Sequence, residues 1–299
     1  MKKEFAAVLF LILFIIVLPV QKSASRDSEK ELENDVVKAV VIGGMTMTGL
    51  WDEISKMFED RTGIRVEVVD TGPRPNIEVP FQQGKADLLT MHSGDITTDL
   101  VADGYGIEMK PWTHNNIVIV GPKSDPAGIK GMKDGAKALK RIAATGSSYV
   151  DLWGIGMREV SQKMWKKAGI FPPIGEWVIK DERQNKNDIL KYVVEKNAYT
   201  LFGRMPILFE KRDKKGLEIM VENDPDMHRP YIVMLANPDV FSHANIEGAR
   251  KLQAFLLSKD VQVFLSKFGA DKFGGIPLFY PLRQRAFKGK SERLTAGKD

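Results

Sequence analysis

The order of apolar and polar positions along the chain predicts strands that alternate with helices. Residues 36–42 are a nearly continuous run of β-branched and small apolar side chains, which is typical of a buried strand. Apolar side chains at helical spacing follow over residues 50–58, and residues 64–69 form a second strand-like run. Similar patterns continue to residue 268. This order predicts an α/β fold with a mainly parallel sheet.

Polar residues that follow the first two strands are candidates for a binding site. Thr46, Met47 and Thr48 lie in an expected loop after the first strand, and Thr71 and Arg74 follow the second strand. Because the carboxyl ends of parallel strands meet at one edge of a sheet, we expect these residues to face one crevice. Thr48 has an alternative role as the N-cap of the next helix, and Arg74 as a surface residue on a proline-rich loop.

The N-terminus has the pattern of an export signal. Lys2 and Lys3 precede an uninterrupted apolar run over residues 5–20, and a polar segment with small residues follows. This order predicts a signal peptide at residues 1–25, which would tether the protein to the membrane if it were not cleaved. Residues 26–35 are charged and predict a short linker. We therefore expect an exported protein, in the periplasm or outside the cell.

Composition narrows the possible chemistry. The chain has no cysteine, which excludes disulfides, thiolate metal sites and a lipid anchor on cysteine. The formal net charge of +5 comes from the two ends of the chain, because the body between them is nearly neutral. We therefore expect no nucleic-acid partner. Residues 286–299 form a basic tail, either a solvated end or a segment that touches an anionic membrane surface.

Sequence signals for catalysis are weak. The chain has four histidines and lacks the HExxH, GxSxG, GxGxxG and Walker patterns that mark common enzyme sites. We therefore expect no catalytic residue, no metal ion and no cofactor.

Several stretches resemble the tungstate-binding proteins of bacterial ABC transporters, a branch of the type II periplasmic binding-protein superfamily. The stretches are GYG at 104–106, NNIVIVGPKSDPAGI at 115–129, KMWKKAGI at 163–170, and AYTL at 198–201 with Arg204. The similarity runs in the same order from residue 36 to residue 281. It implies two lobes, each a mainly parallel sheet flanked by helices, with a ligand cleft between them. The implied function is capture of a small ligand by lobe closure and delivery to a membrane permease.

The resemblance also implies where the lobes begin and end. Extended segments framed by turn residues are the expected hinge crossings, near residues 112–122 and 229–238. This interpretation puts residues 36–112 and 236–285 in lobe 1, and residues 113–235 in lobe 2.

Two motifs of the family are altered in this chain, which leaves two ligand classes open. The expected Thr-Thr-Thr-Ser stretch is replaced by residues 41–44, and Asp151 stands where the family has an arginine. A tetrahedral dianion needs charge-assisted donors, so a buried Asp beside it would cost several kcal/mol. The ligand is therefore either an oxyanion such as tungstate or molybdate, by resemblance, or a small organic solute, by the altered motifs.

Further candidate contacts come from the resemblance and from the expected crossings. His92 and Ser93 look like the family's His-Ser pair, with a structural role as the alternative for the histidine. Asn115 lies at the first crossing and could serve either the hinge or the ligand.

The second lobe contributes a third group of candidates. Asp151 and Trp153 are expected to line the cleft, although Trp153 could equally be a core residue. Arg204 is the cation that the resemblance places in this lobe, and its alternative role is a salt bridge to Asp151.

Three functions therefore remain to be compared. The first is a monomeric receptor that passes a small molecule or an oxyanion to the permease of an ABC transporter. The second is an extracytoplasmic sensor or scavenging protein without a transporter. The third is an exported enzyme built on the same fold.

Overall fold

The computed structural model describes residues 36–152, 157–181, 188–209 and 216–282. Four features predicted above lie outside these ranges: the signal peptide, the linker, Trp153 and the basic tail. Among the described residues, no helix has the length and apolar character needed to cross a bilayer.

Strands and helices alternate through the described ranges, as the sequence predicts. The strands are β1 (Val36–Ile42), β2 (Arg65–Gly72), β3 (Leu88–His92), β4 (Gly106–Pro122), β5 (Tyr149–Asp151), β6 (Val178–Lys180), β7 (Thr200–Gly203), β8 (Leu217–Val221), β9 (His228–Ala236) and β10 (Phe279–Tyr280). The helices are α1 (Gly43–Met47), α2 (Leu50–Thr62), α3 (Arg74–Gln82), α4 (Asp95–Ala102), α5 (Gly135–Ala144), α6 (Arg158–Lys167), α7 (Ile189–Glu195), α8 (Arg204–Phe209), α9 (Ile246–Leu256) and α10 (Lys259–Leu265).

The main sheet is mixed and has the strand order β10–β4–β9–β3–β1–β2. β1 pairs in parallel with β2 and β3, and α2 and α3 supply the crossovers that parallel neighbours require. β9 runs antiparallel to β3 on one side and to β4 on the other. The predicted α/β fold class is confirmed, with parallel pairing in this strand path confined to β1, β2 and β3.

β4 is the strand that connects the two halves of the molecule. Its residues 106–116 pair with β9, and its residues 117–122 pair with β7 and β8. Side chains 117–120 point alternately into two separate clusters of buried residues. A strand covered on both faces carries apolar residues at every position, which explains the unbroken apolar run in this segment.

Buried side chains divide into a first core and two further clusters. The first core surrounds β1, β3, β9, α2 and α9, and Trp51 and Trp112 meet edge to face at its centre, 6.5 Å apart. The other two clusters lie on the two faces of the far half of β4, and one holds the Tyr149–Trp165 ring pair, 5.0 Å apart. This division supports the two predicted lobes. The parallel pair β5–β6 belongs to the second half.

The predicted lobe boundaries differ from this division at β9. Residues 231–236 pack in the first core, whereas the predicted boundary assigns most of them to lobe 2. They join the first core because β9 pairs with β3 along this stretch. The boundaries themselves stay a prediction.

Two short segments that were expected to be loops are helical. Residues 43–47 form α1, and the hydroxyl of Thr48 closes its C-terminal end by donating to the carbonyl oxygens of Gly44 and Met45 at 2.9 and 3.1 Å. The N-cap of α2 is Gly49, whose φ of 76° is a left-handed conformation that glycine adopts without strain. The alternative role of Thr48 as an N-cap is therefore wrong.

The proline-rich segment after β2 is the second of these helices. It forms α3, and Pro75 lies in its first turn, where a missing N–H costs little. Arg74 is consequently the first residue of a helix rather than part of a loop.

Candidate functional site

The carboxyl ends of β1, β2 and β3 meet the beginning of β9 along one edge of the main sheet. α1, α3 and α4 begin just after these three strands. Their first residues therefore surround one crevice, where the sequence places Thr46, Thr71 and Arg74.

Thr46 and Thr71 place two hydroxyl groups next to each other in this crevice. Their Oγ1 atoms lie 2.8 Å apart, and the Thr46 hydroxyl is 3.1 Å from the carbonyl oxygen of Gly43. Close approach of the two backbones requires glycine, because a Cβ at Gly43 would lie 3.1 Å from the Cα of Gly72. Met47 follows on the same short helix and is 39% exposed.

Two arginines converge on the same edge. Arg229, at the start of β9, is only 3% exposed, and its Nη2 donates a long hydrogen bond of 3.4 Å to the carbonyl oxygen of Ser93. Burial and the positive charge of Arg74 lower the pKa of Arg229 to about 10. Within the described ranges, neither arginine has a carboxylate at salt-bridge distance. The structure therefore holds two like charges together at the crevice.

His92 lies beside this arginine pair. Its ring packs against the ring of Tyr231 with centroids 4.4 Å apart. Burial, reinforced by the charges of Arg229 and Arg74, holds the pKa of His92 well below its usual range. The imidazole is therefore neutral at physiological pH and offers one N–H donor.

Tyr231 links the histidine to the first crossing. Its hydroxyl accepts a hydrogen bond of 3.0 Å from Nδ2 of Asn115, and burial raises the pKa of the phenol. The Oδ1 atom of Asn115 is buried and has no hydrogen-bond donor among the described residues. Across the crevice, the Tyr231 hydroxyl and the Cε atom of Met205 would each lie 3.7 Å from a Cβ at Gly44. Asn115 thus holds Tyr231 beside the crevice, where β4 and β9 pair.

Arg204 lies apart from the arginine pair and has other partners. It is 4% exposed, and its Nε donates to Glu222 Oε2 at 2.9 Å. Its remaining nitrogens donate to the carbonyl oxygens of Phe273, Ile276 and Pro277 at 3.2–3.4 Å. Its ion-pair partner is therefore Glu222 rather than Asp151, and the residue joins α8 to the segment before β10.

Asp151 lies at the end of β5 and lines a separate cavity of about 400 Å³. All described lining residues of this cavity come from one stretch of the second half, and they include Arg158, Ser161, Trp165, Phe171 and Ile174. Arg158, which lines the cavity with Asp151, also pairs with Asp95 of α4.

Comparison with known proteins places the chain in a family. The sequence profile of the family described as bacterial extracellular solute-binding protein matches residues 39–271. This chain belongs to that family. The crevice at the edge of the main sheet is therefore the candidate binding cleft of an extracellular solute-binding protein.

Individual relatives narrow the comparison. This solute-binding protein is 32% identical, over 268 residues, to the tungstate-binding protein TupA of Peptoclostridium acidaminophilum, with 87% of this chain and 91% of that protein covered. The structure is similar to TupA from Desulfovibrio alaskensis G20 (TM-score 0.67, 26% identity, 83% of this chain and 99% of that chain). It is also similar to the tungstate ABC transporter structure from Geobacter sulfurreducens (TM-score 0.62, 28% identity, 78% and 98%). These similarities confirm the predicted family resemblance, the type II fold and the solute-binding role.

Sequence reasoning missed Arg229 and Tyr231 of this solute-binding protein. The available signal was the second expected crossing, which begins at Arg229 but was interpreted only as a hinge. Asn115 and Arg229 are directly opposite in the β4–β9 ladder, so the segments expected to be crossings lie side by side.

Proposed function

We propose that this protein captures a small inorganic oxyanion in the cleft at the edge of the main sheet and delivers it to the permease of an ABC uptake system. The observation that carries the proposal is the pair of arginines, Arg74 and Arg229, which face the same crevice without an ion pair in the described part of the chain.

Electrostatics favours an anion at this point. Burial and the neighbouring charge of Arg74 both lower the pKa of Arg229, so the protonated guanidinium is held here at a cost in free energy. An anion between them turns this repulsion into two charge-assisted interactions, and guanidinium groups match the oxygens of an oxyanion well. The hydroxyls of Thr46 and Thr71 and the neutral ring of His92 would add donors without adding charge.

Two observations weigh against the organic solute considered above. Met45, at the start of the crevice, offers no apolar surface to a ligand, because its side chain is fully buried in the first core. Asp151, whose charge would oppose an oxyanion, lines a different cavity. The similarity to tungstate-binding proteins makes tungstate and molybdate the first oxyanions to test.

Lobe closure is the proposed route to retention of the ligand. Asp95, in the first turn of α4, forms an ion pair of 2.7 Å with Arg158, in the first turn of α6. α4 packs against the first core and α6 against one of the second clusters, so this contact joins the two proposed lobes. We further propose a monomer that works in the periplasm and releases its ligand chemically unchanged.

A thermal-shift screen of the secreted protein against oxyanions and organic solutes tests this function. A ligand at about 100 times its Kd should stabilise the protein by about 2.7 kcal/mol. We expect at least one tetrahedral oxyanion of the screen to do so in the wild type, but not in the Arg74→Gln or Arg229→Gln variants. Arg250→Gln is the matched control, because Arg250 pairs with Glu108 on the surface of the first lobe. Stabilisation only by an organic solute would overturn the proposal.

A further inference from the structure

Glu159 lies in the first turn of α6, on the opposite side of the cleft from the arginine pair. A Cβ placed on Gly94 would lie 3.4 Å from Oε1 of Glu159 and 3.8 Å from Nη2 of Arg74. The carboxylate and the guanidinium thus approach the same point on the backbone between β3 and α4. Ser93, whose carbonyl oxygen accepts from Arg229, is the preceding residue.

An ion pair joins the two helix starts on either side of this carboxylate in the sequence. Arg158, the residue before Glu159, pairs with Asp95, the residue after Gly94. The first turns of α4 and α6 therefore contact each other next to the Gly94 backbone. In the described part of the chain, Glu159 itself forms no hydrogen bond or ion pair, so its oxygens are available to a ligand.

We propose that Glu159 is a specificity-determining residue of the anion site, and that its carboxylate selects oxyanions that carry an O–H group. This inference rests on the proposed function, because it concerns the ligand held by Arg74 and Arg229. Glu159 also acts on the site in the absence of a ligand, since its charge opposes the lowering of the Arg229 pKa.

The preference for protonated oxyanions follows from which groups can donate a hydrogen bond and which can only accept one. An ionised carboxylate only accepts hydrogen bonds, and so do the oxygens of a fully deprotonated oxyanion such as sulfate, molybdate or tungstate. Placed beside Glu159, such an ion meets a like charge and an unmatched acceptor. Hydrogen phosphate and hydrogen arsenate keep one O–H near neutral pH, and that group can donate to the carboxylate in a charge-assisted hydrogen bond. The favoured ligand class is therefore a tetrahedral oxyanion that retains a proton.

Calorimetric titration of matched anion pairs tests the inference. Phosphate is compared with sulfate, and arsenate with molybdate, in the wild type, in Glu159→Gln and in Glu195→Gln. Glu195 is an exposed control in the second half, on α7. The wild type and the two variants share the same preference for anion size. A change in the affinity ratio between the members of a pair therefore isolates the effect of Glu159. Circular dichroism and thermal unfolding check that the variants are folded.

In Glu159→Gln we expect the preference for the protonated member of each pair to fall by about tenfold or more, and in Glu195→Gln to stay unchanged. Unchanged ratios in Glu159→Gln, or an equal gain in affinity for every anion, would overturn the inference while leaving the anion-binding function intact. Failure of every anion to bind to the wild type would instead overturn the proposed function, and this inference with it.

Discussion

The carboxylate of Asp95 and the guanidinium of Arg158 lie 2.7 Å apart and join the first turns of α4 and α6. The two helices pack in different halves of the molecule. The ion pair also flanks Gly94, which the side chains of Arg74 and Glu159 both approach. Contact between the two halves is therefore made next to the proposed anion site.

Asp95→Asn should speed ligand release. Both side chains are more than 40% exposed, so the pair is expected to contribute only about 0.2–1 kcal/mol to the closed form. We expect a roughly threefold increase in the dissociation rate, with little change in the association rate, in stopped-flow measurements. Asp260→Asn is the matched control, because it removes an exposed ion pair with Arg61 inside the first lobe. Equal dissociation rates in wild type and Asp95→Asn would show that the pair does not hold the cleft closed.

Arg74→Gln should increase the stability of the ligand-free protein and weaken its binding of anions. The substitution removes a positive charge that acts on both Arg229 and His92. We expect the ligand-free protein to be more stable by about 1 kcal/mol in urea unfolding, because binding sites commonly carry such strain. The same variant should bind anions at least about tenfold more weakly. A variant that lost stability and kept full affinity would contradict the role assigned to Arg74.

His92 should make stability dependent on pH. Its folded-state pKa lies well below 6.5 because of burial and the nearby arginine charges. As the pH falls below about 6.5, the imidazole gains a proton in the unfolded chain but stays neutral in the folded protein. The unfolded state then binds more protons, so the free energy of unfolding should decrease from about pH 7 to about pH 5. His92→Gln should reduce this slope in urea titrations, and parallel slopes would refute the assignment.

Glu222→Gln should weaken the fold without affecting anion binding. The change removes the counter-charge of Arg204, which is 4% exposed. Leaving a buried guanidinium without its carboxylate should cost about 1–3 kcal/mol of unfolding free energy. Glu218→Gln, which removes a surface pair with Lys130, should have a much smaller effect. A loss of anion affinity in folded Glu222→Gln would indicate that Arg204 takes part in ligand binding.

Hydrophobic periodicity predicted strands and helices well where the pattern lies within a single segment of the chain. Residues 36–42 form the strand that their apolar run predicts, and residues 50–58 lie in a helix, as their apolar spacing predicts. α1 and α3 were missed because short helices rich in glycine or proline give no periodic signal.

The candidate site was only partly predictable, because its charges come from distant segments. Thr46, Thr71 and Arg74 follow strands at one sheet edge, so strand order places them together. Arg229 joins them only because β9 pairs with β3, and no local pattern reveals this pairing. The partners of Arg204 are likewise set by tertiary contacts. The sequence does not reveal its pairing with Glu222, so the family resemblance suggested a ligand role instead.

A crystal structure of the protein soaked with arsenate would test the central claim most directly, because the anomalous signal of arsenic locates the anion. The account predicts one strong peak within hydrogen-bonding distance of the guanidinium groups of both Arg74 and Arg229. A peak in the cavity beside Asp151, or at Arg204, would contradict it.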